Sequence, residues 1–133
     1  MNRKIQFRGF NLKNKQWIYG YYLVNRGKHY IVQDEVVEPF KEASDFEVDA
    51  ESVGQWLTNV DGVDLYEGDI VETIVHTKSY SCKSWPGIIK WYDLYSRFVY
   101  MRNSKCIEDF IVKPELSFIV IGNEYEKKKR STP

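Results

Sequence analysis

The sequence predicts a mainly β protein, a small barrel or curled sheet made of short strands. Three observations point there. No helical pattern of apolar residues persists for three or four turns anywhere in the 133 residues. At least five short apolar segments are separated by Gly, Pro, Asn and Asp turn signals. Aromatic residues make up 16% of the chain, with ten Tyr and four Trp, and such rings suit half-buried strand positions better than helix interiors.

The elements follow in order. Ile5 and Phe7 alternate with Gln6 and Arg8, and the polar stretch Asn11-Leu12-Lys13-Asn14-Lys15 turns the chain into the run from Trp17 to Val24. That pattern is a β hairpin. Trp17, Tyr19, Tyr21 and Leu23 share one face of its second strand, and Ile18, Gly20, Tyr22 and Val24 the other. Both faces are apolar, so the strand is expected to be covered on both sides. Gly20 either admits a close neighbour or marks a bulge. Asn25-Arg26-Gly27-Lys28 is a second turn, and His29 to Val32 a strand that Val36 and Val37 extend until Pro39. Residues 41–47 read as a loop or short strand. Asp49-Ala50-Glu51-Ser52 caps a single helical turn, with Ser52 an alternative start and Val53 and Trp56 on one side.

Asp61-Gly62 is a strong turn signal, and Tyr66-Glu67-Gly68-Asp69 turns the chain again into a core strand from Ile70 to Val75. Residues 76–84 form a polar loop suited to variation. Further strands are expected at Ile88 to Trp91, Phe98 to Met101, Ile107 to Val112 and Phe118 to Ile121, the last closed by a turn at Gly122-Asn123. Asp93-Leu94-Tyr95-Ser96 connects two of them. The expected division is an N-terminal β-hairpin region over 1–60, a barrel over 61–126 and a basic disordered tail over 127–133.

Formal net charge is zero, which by itself demands neither a nucleic acid nor a membrane partner. The zero hides an uneven layout. Residues 1–31 carry seven basic residues and no acid, residues 32–72 thirteen acids and one base, and residues 73–133 eleven bases and six acids. The basic start lacks an apolar run behind it, so no signal peptide is expected, and no stretch approaches the length of a spanning helix. Two cysteines, Cys82 and Cys106, fit free thiols in a reducing compartment better than a disulfide framework. A cytoplasmic location is expected.

Candidate chemistry is sparse. Glu67 and Asp69 are two apart and share a face on a continuous strand, but a glycosidase pair draws its carboxylates from different elements, and a metal site needs more converging oxygens. A structural role fits them better. Gly68 permits an unusual backbone angle, and Asp69 accepts backbone N–H groups that fix the turn. Gly62, Gly122 and Asn123 are assigned similar turn roles. His29 and His76 stand in unrelated settings, no Cys-x-x-Cys or His-x-x-x-His spacing exists, and neither Ser52 nor Ser104 sits in a nucleophile elbow. No catalytic residue, metal or cofactor is therefore expected. Basic residues interleaved with rings are the footprint of a single-strand binder, and Arg8, Trp17, Lys90, Trp91 and Arg97 are the candidate nucleic-acid contacts, within a wider region from Lys83 to Arg102 that includes Trp85, Tyr92 and Tyr95. The acidic segment opposes that reading, because it repels phosphates unless it faces away.

Four stretches line up in order with a known family. Ile5-Gln6-Phe7-Arg8-Gly9-Phe10 followed by Lys15-Gln16-Trp17-Ile18-Tyr19-Gly20, then Val53-Gly54-Gln55-Trp56-Leu57-Thr58, then Asp61-Gly62 with Tyr66-Glu67-Gly68-Asp69-Ile70-Val71, and finally Val120-Ile121-Gly122-Asn123-Glu124-Tyr125-Glu126 resemble the YopX-like proteins of phages and prophages. The chain departs from the family pattern at Gly9-Phe10-Asn11 and at Val60 to Leu65, both in expected turns. The resemblance implies a small SH3-like barrel with an additional N-terminal β subdomain, and it carries no catalytic residues. A protein-interaction or self-assembling structural module is the expected role, with acidic and basic segments mating between copies and a phage or host protein as a further partner. Nucleic-acid binding is the alternative, and no membrane role is expected.

Overall fold

Tight turns with left-handed backbone set the strand pairing. Arg26 (φ 52°) and Gly27 (φ 77°) form a two-residue hairpin loop, and Asp61 (φ 52°) and Gly62 (φ 86°) form another. Two central residues with positive φ match the right-handed twist of the strands they join. The computed structural model describes residues 5–33, 46–84, 86–92, 97–103, 106–110 and 113–131. Within it the chain is mostly β-sheet and divides into two compact units, residues 1–56 and 57–133.

The first unit contains β1 (Phe7–Asn11), β2 (Gln16–Asn25), β3 (Lys28–Val32), β4 (Glu47–Val48) and the start of β5 (Gly54–Val60). Its strands run in the order β4-β3-β2-β1-β5, all antiparallel. The division between the units falls inside β5. A short 3-10 turn, Ala50–Ser52, precedes β5, and Asp49 caps it by accepting from the Glu51 N–H at 3.2 Å. Ser52 is buried there, its hydroxyl donating to the Asp49 carbonyl at 2.6 Å and accepting from the Phe10 N–H at 2.7 Å. Trp56, expected on a helical turn, is a β5 residue, and its N–H donates to the Gln6 carbonyl. Gly20 lies where the Val32 carbonyl passes: a Cβ at residue 20 would collide with that backbone oxygen.

The second unit holds the rest of β5 and β6 (Val63–Tyr66), β7 (Asp69–His76), β8 (Ser81–Lys83), β9 (Gly87–Tyr92), β10 (Arg97–Asn103), β11 (Cys106–Asp109), β12 (Leu116–Asn123) and helix α1 (Glu124–Ser131). Five strands run in the order β11-β10-β9-β7-β12, with β8 also pairing with β7. Leu65, Val71, Ile89, Tyr100 and Phe118 form the core, and Leu57, Val60, Val63, Phe110 and Leu116 pack against it. Tyr100 brings a hydroxyl into that core and donates it to the Val71 carbonyl at 2.8 Å, so its polar end stays satisfied.

Three expectations need correction. The polar segment 76–84 is not simply a loop, because residues 81–83 extend the ladder of β7. Gly122 is not a turn residue; it lies in β12 opposite Ile70, just after a bulge between Val120 and Gly122. The tail expected to be disordered from residue 127 is helical as far as Ser131. Asn123 caps this helix by accepting from the Glu126 N–H at 2.8 Å, and buried Tyr125 anchors it. The expected strand residues 111–112, the connection 93–96 and residues 34–45 lie outside the described residues.

A Gly20→Ala substitution is expected to destabilise the protein by about 1–3 kcal/mol, because backbone rather than a yielding side chain stands in the way. Chemical denaturation of the two forms measures it.

Candidate functional site

Two of the stretches that carry the family resemblance come together in the second unit. The chain leaves β6 at buried Tyr66, turns through Glu67 and Gly68, and enters β7 at Asp69, which is 1% exposed. Gly68 takes a φ of 93°, a backbone state that side chains rarely adopt. The Asp69 carboxylate reaches back and accepts the Tyr66 N–H at 2.8 Å. The Gly68 N–H donates to the Ile89 carbonyl at 2.7 Å, and the Gly68 carbonyl accepts the Glu124 N–H at 2.8 Å. Asn123 stands opposite Asp69 in the β7–β12 ladder. The turn is thus tied at once to β9 and to the start of α1.

Ion pairs surround the same junction. The Glu124 carboxylate accepts from Lys90 Nζ at 2.8 Å and meets Lys128 at 3.3 Å one helical turn on. Burial works to raise the Glu124 pKa, but the Lys90 hydrogen bond and the charges of Lys90 and Lys128 together hold it below the usual carboxylate range. Beside the bulge a groove of about 660 Å³ opens, lined by Ile70, Pro86, Ile121, Gly122, Asn123 and Glu126, with Lys127 at its rim. At the far end of β7, His76 bridges two hydroxyls, Ser81 Oγ at 2.9 Å from Nδ1 and Ser117 Oγ at 2.8 Å from Nε2. That ring joins β7, β8 and β12.

In the first unit the sheet register sets Arg8 across from Tyr19 and Phe10 across from Trp17. Arg8 is buried, its guanidinium carbon 4.9 Å from the centre of the Trp17 ring, and Phe10 meets the same ring edge-on at 5.5 Å. On the other face Tyr22 packs between Phe7 and His29, and its hydroxyl bonds His29 Nδ1. The expectation that β2 is covered on both faces fails: Tyr19, Tyr21, Tyr22, Leu23 and Val24 are all exposed.

The candidate nucleic-acid contacts are divided between the two units, and those of the second unit lie on both faces of its sheet. Arg8 is buried against Trp17 in the first unit. Lys90 is engaged by Glu124. Trp91 is exposed and meets Phe98 edge-on at 5.1 Å, but it adjoins Lys90 in one strand and so projects from the opposite face. Arg97 is exposed and shares the Lys90 face. Trp85, Tyr95, Ser104 and the side chains of Tyr92 and Cys106 lie outside the described residues. Cys82 is exposed on β8. Among the described residues no three His, Cys, Asp or Glu side chains converge as a metal site, and no helix is long and apolar enough to cross a membrane.

Nothing in the residue pattern signals that Lys90 and Glu124 meet, or that His76 bridges two serines, because each contact is made across the fold. A family model described as YopX protein matches residues 6–130. The chain belongs to the YopX family. No curated protein and no solved structure matches it. The matched span takes in both the Gly68–Asp69 turn and the Gly122–Asn123 stretch, so this YopX-family chain holds its junction together with residues from two separate parts of the matched region.

Asp69→Ala is expected to lower stability by about 1.5–3 kcal/mol, since a buried N–H loses a charged acceptor, as denaturant unfolding will show. Glu124 has a folded pKa below its unfolded one, so its contribution is present above the ordinary carboxylate range and is lost as pH falls through the folded value. Melting temperature measured from neutral to acid pH should fall less steeply in Glu124→Gln, with a difference at neutral pH of no more than about 1 kcal/mol because the pair is partly solvated.

Proposed function

We propose that the chain is a phage- or prophage-encoded protein-interaction module that self-associates and has no catalytic activity of its own. One observation supports this above the rest. Of the twelve large apolar residues exposed among the described positions, eight lie on two strands: Tyr19, Tyr21, Tyr22, Leu23 and Val24 on β2, and Ile119, Val120 and Ile121 on β12. Tyr19, Tyr21 and Leu23 share one face of β2, and Ile119 and Ile121 one face of β12; exposed apolar residues scattered singly are ordinary, whereas ones gathered on a face mark surfaces that other molecules cover.

The charge layout favours a second copy as the covering molecule. An acidic middle segment between two basic flanks gives each copy both signs to offer, while the zero net charge leaves no overall repulsion. In this reading the second unit is an SH3-like barrel, the first is its additional N-terminal β subdomain, and the protein works in the cytoplasm, where a phage or host protein is a further partner. Nucleic-acid binding is the weaker reading, since Arg8 is buried and Lys90 is held by Glu124.

Light scattering coupled to size-exclusion chromatography decides between them. The expected mass is a multiple of 15.8 kDa that persists on moderate dilution. A strict monomer at high concentration sinks the self-association reading, and firm binding of short single-stranded DNA or RNA at low salt would replace it with the nucleic-acid one.

A further inference from the structure

We infer that copies of the chain join head to tail, the basic end of the β2–β3 hairpin of one copy meeting the acidic tip of the β5–β6 hairpin of the next. The inference rests on the self-association reading and names the two surfaces that carry it. The first hairpin turns at Arg26-Gly27 and the second at Asp61-Gly62, on nearly the same left-handed backbone. Arg26, Gly27 and Lys28 are exposed, as are Asp61, Gly62 and Asp64. A Cβ added to either glycine would meet nothing within 4 Å, so no described residue crowds either tip.

Charge commits the two tips to each other. No acid occurs in residues 1–33, and no lysine or arginine occurs between Lys41 and Lys78. Each tip therefore lacks a counter-charge among its sequence neighbours, while every copy carries both signs. Asp64 accepts from the neutral Asn59 amide at 3.0 Å, which holds the carboxylate at the tip and leaves its charge in place. Arg26 adds a second reason. Its φ of 52° is one that Asn, Asp or Gly takes readily, and Asp61 at the matching place is such a residue. An arginine there strains the turn, and residues kept in such backbone states cluster at functional sites.

Apolar surface adjoins the cations. The register sets Lys28 opposite Asn25 and Tyr30 opposite Leu23, so Lys28 shares a face with Tyr21 and Leu23. Leu23 and Val24 are 50% and 51% exposed at this end of β2. Ion pairs on an open surface add little by themselves, whereas here the meeting of charges also covers the end of an apolar strand. Two different patches of one chain meet, so each copy offers its basic end to one neighbour and its acidic tip to another. Such a contact closes into a ring or runs on as a filament.

Sedimentation velocity of the full chain tests the inference with two double variants. Arg26→Asn with Lys28→Gln removes the cations, and Asp61→Asn with Asp64→Asn removes the anions while keeping an acceptor for Asn59. Asn tolerates left-handed backbone, so both are expected to fold, as circular dichroism will show. Each variant alone should associate about tenfold more weakly than the wild type, or less still. Their equimolar mixture should stop at two copies, because the first keeps its acidic tip and the second its basic end. Assembly that survives undiminished in either variant alone overturns this pairing while leaving self-association in place, and so does a mixture that stays monomeric or grows past two copies. Should a variant lose its fold, the wild type decides: assembly should weaken as salt rises from about 0.05 M to about 0.5 M, and assembly that holds or tightens overturns the pairing. A wild-type monomer at all concentrations overturns both readings.

Discussion

The backbone of Gly68 is used twice, and the second unit is organised around that double use. Its N–H is taken by β9 and its C=O by the first residue of α1. A residue can serve two elements in this way only where the chain turns sharply enough to expose both groups, and a φ of 93° provides the turn. Asp69 keeps the turn closed from the inside by accepting the Tyr66 N–H. A carboxylate that is 1% exposed in a β core is costly unless its hydrogen bonds are made, so fold and turn depend on each other. The Lys90–Glu124–Lys128 cluster then adds attraction between the sheet and the helix at the same place.

Strands were the legible part of the sequence, and for a physical reason. β2, β7, β9, β10 and β12 are apolar runs bounded by turn residues, and their positions follow from that pattern with shifts of a residue or two at the ends. β8 was not legible, because Ser81-Cys82-Lys83 has no apolar alternation and becomes a strand by extending the ladder that β7 offers. Helix α1 was hidden for a similar reason. Glu126 through Arg130 are all charged and look like a solvated tail, while the residues that make them helical, capping Asn123 and buried Tyr125, lie just before.

The junction was half legible. Gly68 and Asp69 stand out as turn residues, yet nothing in the sequence says that Gly122 and Asn123 will lie beside them, since that proximity is a product of strand pairing. The basic residues were the least legible. Arg8 carries a charge that a sequence places on the surface, but its neighbours across the strand are Tyr19 and, diagonally, Trp17, and the rings cover it. Trp91 and Lys90 look like one patch when written side by side and are separated by the pleat when folded.

His76 holds Ser81 and Ser117 through its two ring nitrogens, with the Thr77–Tyr80 segment leaving the sheet and returning between the first two. That segment closes on itself, the Thr77 N–H donating to the Tyr80 carbonyl and the Thr77 hydroxyl to the same oxygen. The imidazole therefore works as a spacer of fixed width at the base of the loop. Additional residues inserted at the loop tip would lengthen an arm whose shoulders are already clamped, so this is where the scaffold can accept novelty without the strands learning of it.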